Sequence, residues 1–232
     1  MDANRRNQLQ GISLGCVAGY VDTLGFIALF GLFTAHVTGN FVLIGAALAD
    51  PSHVSILLKF LAFPAFILGV AAARLLIAAS QSRQWPGLTL SLMLQMLLLF
   101  GFMVCGWLAS PIGVDATPLA MAAGLLGAAA MGVHSATSKL LLSHLAPTSM
   151  MTGNVTQIVI DTVDVMRGAA DKAVGERCAK FIWPLAAFGG GAILAAFAYM
   201  AIGFSALLFP IAILCCMIIM QWNLDRIQVG AA

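Results

Sequence analysis

Charge is scarce in this chain. Asp, Glu, Lys and Arg make up 9% of its 232 residues, where a soluble domain carries roughly 25%. That deficit excludes a surface wetted on every side. A net charge of +2 excludes the broad basic footprint that nucleic acid requires. Five cysteines stand at 16, 105, 178, 215 and 216 in no metal-ligand or redox spacing. Four of them lie in apolar runs, where Cys acts as a small hydrophobe. Neither a disulfide nor thiol redox chemistry is expected. There is no His-Glu-x-x-His helix, no pair of catalytic carboxylates and no phosphate loop. The chain therefore reads as no enzyme, with no cofactor and no metal. It also lacks a linker, a low-complexity tract and a soluble domain.

What it has is apolar sequence. Hydrophobic residues make up 61% of the chain, and long runs fall at about 11–33, 54–79, 88–109, 118–142, 180–202 and 204–222. Each reaches the length of about 20 residues that crosses a bilayer. The first follows Arg5 and Arg6 and outlasts a signal-peptide core, so it reads as an uncleaved helix. The expectation is an all-α polytopic membrane protein with about six full transmembrane helices and the lipid bilayer as its solvent.

Two short apolar segments, 40–49 and 154–163, do not fit that series. Each holds about ten residues, or roughly 15 Å of helix, half a hydrocarbon core. Each is opened by the same tripeptide, Thr38-Gly39-Asn40 and Thr152-Gly153-Asn154, set 114 positions apart. A matched pair of interrupted hydrophobic segments points to the binding site of a repeat-built transporter. Two further echoes accompany the pair. Gly11, Gly15, Gly19 and Thr23 recur as Gly124, Ala128, Gly132 and Ala136 at a shift of 113. Small residues at four-residue spacing let another backbone approach one helix face. Lys59-Phe60, Pro64 and Gly69 recur as Lys180-Phe181, Pro184 and Gly189, the Pro and Gly at a shift of 120. The chain is read as two repeats, 1–116 and 117–232, within one membrane domain.

Basic residues favour the cytoplasmic side of a membrane. If the short segments dip in and return, each half crosses three times and the repeats are inverted. Ten Lys and Arg then fall inside, including Arg74, Arg83, Lys139, Lys172, Arg177, Lys180 and Arg226, against Lys59 alone outside. If the short segments cross, the balance falls to eight against three. The re-entrant, inverted arrangement is preferred, with both termini cytoplasmic. Arg74 and Lys139 are expected near helix ends, from which they can snorkel.

In that arrangement the two tripeptides enter from opposite sides, and each opens a half-helix near the midplane. A helix N-terminus carries unpaired N–H groups and partial positive charge. Thr38, Asn40, Thr152 and Asn154 can cap such ends, while Gly39 and Gly153 let backbone turn or approach a ligand. Two facing ends make a polar site that favours an anion. Asp22 lies midway along the first helix. An intramembrane carboxylate is a functional candidate by default, so Asp22 is the candidate for proton or cation coupling; the alternative is a hydrogen-bonded tie between helices. Its repeat counterpart is Ser135. Tyr20, His36, His134 and Ser135 are candidates to line the pocket, with Thr23 and Ser138 beside them. Asp161 and Asp164, near Arg167, read as interfacial.

The runs Gly19-Tyr20-Val21-Asp22 and His36-Val37-Thr38-Gly39-Asn40, with Gly132-Val133-His134 and Thr152-Gly153-Asn154 in the second half, resemble the YoaK-like family of bacterial inner-membrane proteins of unknown function. The likeness runs over nearly the whole chain. It departs at Gly132 to Ala136, where the family pattern is similar to Gly-Met-Gln-Asn-Ala. It implies a bacterial inner membrane and supplies neither reaction nor substrate. The reading is a secondary transporter of a small solute, an anion being favoured. A passive channel and a non-transport assembly protein remain alternatives, and a homo-oligomer stays open.

Overall fold

The computed structural model describes residues 3–49, 56–149, 151–168 and 172–230, and the side chains within them except at 3, 172, 173, 176, 177, 179 and 225–230. Met150, and the side chains of Lys172, Arg177 and Arg226 in the charge balance, lie outside the described residues. The described residues form helices and no strand. In order they are α1 (Ala3–Ala28), α2 (Gly39–Ala49), α3 (Ile56–Arg83), α4 (Gly87–Ala109), α5 (Pro118–Leu141), α6 (Met151–Met166), α7 (Lys172–Ile202), a 3-10 turn (Gly203–Leu207) and α8 (Leu208–Gly230). Five described segments are long and apolar enough to cross a membrane, and the last, of 45 residues, joins α7 and α8 through the 3-10 turn. The chain is a polytopic, all-α membrane protein.

Contacts fix the helix directions. Lys59, in the first turn of α3, donates its ammonium to the carbonyl of Phe30 just past α1. Leu32 and Leu58 meet beside Gly124, early in α5. So α3 and α5 both start where α1 ends, and α2 leaves and returns to that same end. Pro184 and Phe188, near the middle of α7, lie in that order on Gly15 and Gly19 of α1. Hence α7 runs with α1 and starts where α5 ends, and α6 returns to that end. Among the described residues six long helices run along the bundle, and two short helices enter it from opposite ends.

Two close pairs carry the bundle: α1 on α7 and α3 on α5. Their contacts correspond. A Cβ on Gly19 would collide with the Phe188 carbonyl oxygen, and one on Gly132 with the Phe66 carbonyl oxygen. Likewise Gly191 sits on the Cys16 carbonyl and Gly69 on that of Ala129. A shift of 113 carries Gly19 to Gly132 and Cys16 to Ala129; a shift of 122 carries Phe66 to Phe188 and Gly69 to Gly191. The contact register for α3 and α7 is therefore 122, not the 120 read from Pro64 and Gly69 against Pro184 and Gly189. Lys180 is not the counterpart of Lys59 either: it is exposed, whereas Lys59 is buried.

Lys59 is buried. Phe30 and Gly31 both have positive φ, 54° and 70°, and the Lys59 ammonium donates to the Phe30 carbonyl at this negative helix end. Arg74 also differs from its expectation. Because α3 continues to Arg83, Arg74 is an exposed position more than two turns before the helix end. Asp161 is fully buried rather than interfacial, and accepts a hydrogen bond from Gln157 Nε2 at 2.8 Å.

Gly19→Ala and Gly132→Ala should each destabilise the protein by about 1–3 kcal/mol, because a methyl there meets backbone that cannot rotate away. Gly189→Ala, whose Cβ meets nothing within 4 Å, should be near neutral. Thermal unfolding in detergent micelles measures all three, and equal losses would contradict the close-packing account.

Candidate functional site

Both interrupted segments turn back into the bundle, and side chains hold them there. In the first half Asp22 sits six residues before the end of α1. Its Oδ1 accepts from the backbone N–H of Thr34 at 2.8 Å and of Ala35 at 2.7 Å, with longer contacts of 3.4 Å from His36 N–H and Thr34 Oγ. Its Oδ2 lies 2.7 Å from His36 Nδ1. A carboxylate only accepts, so Nδ1 carries the hydrogen. Residues 34–36 are thereby fixed well inside the bundle, beside a turn of α1 that precedes its end.

The second half repeats this scaffold with neutral groups. Thr34 Oγ donates to Val21 O at 3.3 Å; Thr148 Oγ lies 2.9 Å from His134 Nε2. Ala35 N–H bonds Asp22; Ser149 Oγ donates to Ser135 Oγ at 3.3 Å. The Thr34 methyl would meet a Cβ on Gly25; Thr148 Oγ donates to Ser138 Oγ at 3.2 Å. In each comparison the helix residue shifts by 113 and the loop residue by 114.

The asparagines are clamps rather than caps. Asn40 lies inside α2 and reaches back seven residues. It donates to Phe33 O at 2.8 Å and accepts from Phe33 N–H at 2.9 Å. Asn154 donates to Pro147 O at 2.7 Å. Pro has no N–H, so the second clamp has only one arm. Both asparagines are 1% exposed. The N–H groups expected to be open at α2 are also engaged: Gly39, Asn40 and Phe41 bond the carbonyls of His36, Val37 and Thr38 at 2.8, 3.2 and 3.2 Å. The open end of α2 therefore moves back to Val37 and Thr38.

The two loops meet at a cavity of about 400 Å³. From the first come Ala35, His36, Val37 and Thr38; from the second, Ser149, Met151, Thr152 and Gly153; α3 adds Phe63 and Phe66, and α5 adds Ser135. The His36 ring stands edge-on to Phe188, 5.6 Å between centroids. Of the sequence candidates, Thr38, Thr152, Gly153, His36 and Ser135 line this space. Asp22, Asn40 and Asn154 hold its walls, and Gly39 begins α2 behind Phe33. Neither glycine has positive φ. A Cβ on Gly39 would press the Phe33 ring at 3.0 Å, while one on Gly153 meets nothing.

Two candidates lie elsewhere. Tyr20 is fully buried, donates its hydroxyl to Ala206 O at 2.8 Å and packs on Phe209. His134 turns away from the cavity, between Thr148 and Gln95, whose Nε2 is 3.1 Å from Nδ1. The sequence reading missed Thr34, Thr148, Ser149, Phe63, Phe66 and Gln95. The 114-residue shift of the tripeptides, carried back four positions from Thr38 and Thr152, would have paired Thr34 with Thr148.

The two ties differ in strength. Asp22→Leu should cost about 3 kcal/mol or more, because buried N–H groups lose their acceptor. Asp22→Asn keeps an oxygen for them and should cost about 1 kcal/mol. Ser135→Ala should cost less than about 1 kcal/mol. Unfolding of the three variants in micelles tests that order.

Comparison with known proteins places the chain. The family described as "Protein of unknown function (DUF1275)" matches residues 10–220. The "UPF0700 transmembrane protein YoaK" of Bacillus subtilis (strain 168) is 30% identical over 158 residues, 67% of each chain. No solved structure matches. The chain belongs to the DUF1275 family of proteins of unknown function and is similar to the transmembrane protein YoaK.

Proposed function

We propose that this protein is a secondary transporter of a small solute, built from two inverted repeats, 1–116 and 117–232, with its binding site at the cavity between the two Thr-Gly-Asn segments. The observation that carries the reading is the cavity lining: Thr38 and His36 enter from one end of the bundle, Thr152 and Gly153 from the other. Irregular backbone at membrane depth survives where it is buried in protein or lines a cavity, and here it does both. Corresponding contacts across α1–α7 and α3–α5 support the repeats. Coupling to a proton or cation runs through the pair of Asp22, behind the wall, and His36, on it. The protein sits in the bacterial inner membrane with both termini cytoplasmic. A channel would also use two facing segments, but a carboxylate–imidazole pair beside the solute is what coupling needs.

Gly153 offers a clean block. A side chain there meets open space, so Gly153→Leu should fill the cavity while leaving thermal stability unchanged. In proteoliposomes loaded with a cell-metabolite extract, wild type should exchange a labelled fraction that Gly153→Leu does not. Undiminished exchange by the variant would place the site elsewhere. For topology, single cysteines at 83 and 144 should resist an impermeant maleimide from outside, and one at 115 should react. Labelling of position 83 from outside would favour eight crossings.

A further inference from the structure

The cavity wall carries one titratable side chain among the described residues that line it, His36. The groups around it are specific. From α1 comes Asp22, on Nδ1 at 2.7 Å. From α7 comes Phe188 and from its own loop Phe33, both edge-on to the ring. From α3 come Phe63 and Phe66, from α5 Ser135, and from α6 Met151, Thr152 and Gly153. The histidine of α5, His134, is bonded to Gln95 and Thr148 instead. No described lysine or arginine lines the space.

Asp22 is already spent as an acceptor. Its oxygens take two short backbone N–H bonds and the Nδ1 hydrogen of His36. Protonating it would set an O–H against these donors. The other ring nitrogen of His36, Nε2, has no described hydrogen bond, and the His36 side chain keeps 37% of its surface accessible. With Nδ1 fixed as a donor, any change of charge on the ring occurs at Nε2.

We propose that His36, not Asp22, carries the proton in this site, and that the solute it serves is a small organic monocarboxylate with an apolar body. This rests on the reading of the cavity as the transport site. A proton taken up on the Nε2 lone pair gives an imidazolium whose outward N–H pairs with a carboxylate; loss of that proton leaves a neutral ring with an acceptor facing the solute, and the carboxylate is released. Asp22 offsets the imidazolium and holds its orientation. With Asp22 ionised the protonated pair is net neutral, so the outward N–H is one charge-assisted donor, enough for one carboxylate oxygen and not for a dianion. Thr38 and Thr152 supply hydroxyls for a second carboxylate oxygen, and Phe63, Phe66 and Met151 accept a hydrocarbon or aromatic body. A doubly charged phosphate would find no second cation on this wall.

Two measurements test it. The first needs no ligand. In protein labelled with 15N-histidine and held in lipid nanodiscs, with His36→Gln providing assignment, Nε2 of His36 should change protonation between about pH 5 and pH 8 while Nδ1 stays protonated. A ring that does not titrate there, or that titrates at Nδ1, overturns the proposal. The second uses benzoate, with benzamide as the neutral control, in calorimetric titrations at about pH 5.5 and about pH 8, where a carboxyl group remains mostly ionised. Benzoate should bind wild type about tenfold more tightly at the lower pH. His36→Gln, whose amide can still donate to Asp22, should lose that difference, and benzamide should show none. Benzoate binding that ignores pH, that keeps its pH dependence in His36→Gln, or that is absent from wild type overturns the proposal. Failure of the underlying reading looks different: benzoate would bind Gly153→Leu as well as it binds wild type.

Discussion

A peptide group inside a bilayer has no water to fall back on, and each one left unpaired costs several kcal/mol. That constraint governs this protein, because two stretches of non-helical backbone, 29–38 and 142–149, turn back into a bundle of six long helices. What makes them tolerable is side-chain chemistry. In the first stretch a single carboxylate, Asp22, takes the N–H groups of Thr34 and Ala35, and Asn40 serves both polar groups of Phe33. These ties hang from α1, and those of the second stretch from α5. The axes of α1 and α5 are set in turn by glycines that let α7 and α3 come within backbone contact. A β-carbon at Gly19 would therefore do more than loosen one helix pair. It would shift the helix from which the cavity wall is suspended.

The two walls share a scaffold and differ in chemistry. Charge-assisted hydrogen bonds are roughly twice as strong as neutral ones. The first loop has them, through Asp22. The second is held by hydroxyl-to-hydroxyl and hydroxyl-to-imidazole bonds among Ser135, Ser149, Thr148, Ser138 and His134, and by a one-armed asparagine on Pro147. Behind them, Ser91 Oγ and Gln95 Oε1 are buried with no described partner. The wall built from 34–38 is accordingly the stiffer, and the wall built from 148–153 the easier to move. Under the proposed transport, one fixed and one yielding wall would suit a solute that must be held and then released.

Much of this was legible in the letters. Low charge and long apolar runs gave the class. The repeated Thr-Gly-Asn gave the position of the cavity, and the glycine ladders gave the faces where helices touch, because small side chains are the visible trace of close backbone approach. The register of α3 against α7 was not legible from Pro64 and Pro184. What corresponds there is a carbonyl oxygen, on Phe66 and on Phe188, and a carbonyl belongs to every residue alike. Tyr20 and His134 were misplaced for a related reason. The glycine ladder marks one face of α1 and of α5, but nothing marks which neighbour a polar group off that face reaches, so depth could be read but partners could not. Asn40 and Asn154 were expected at a helix end and proved to reach seven residues back, a contact set by the course of a loop. Lys59 entered the charge balance only as the one basic residue outside; its ammonium lies on the Phe30 carbonyl just past α1, a contact no spacing marks.

The short helices themselves explain why so few side chains carry so much. Asn40 and Ala47 are the buried residues of α2; Met151, Asn154 and Asp161 are those of α6. Their remaining apolar surface, with Phe41, Val42, Leu48, Val159 and Ile160 exposed, faces outward, where lipid is as good a solvent as protein and supplies no force toward the bundle. Hydrophobic burial therefore cannot hold α2 and α6 in place, as it would in water. Polar contacts at their first turns do so, and those contacts lie against the cavity. Under the proposed transport, a solute that engages Thr38 or Thr152 would act on the same turn that anchors the helix, which would link occupancy of the cavity to the position of a short helix.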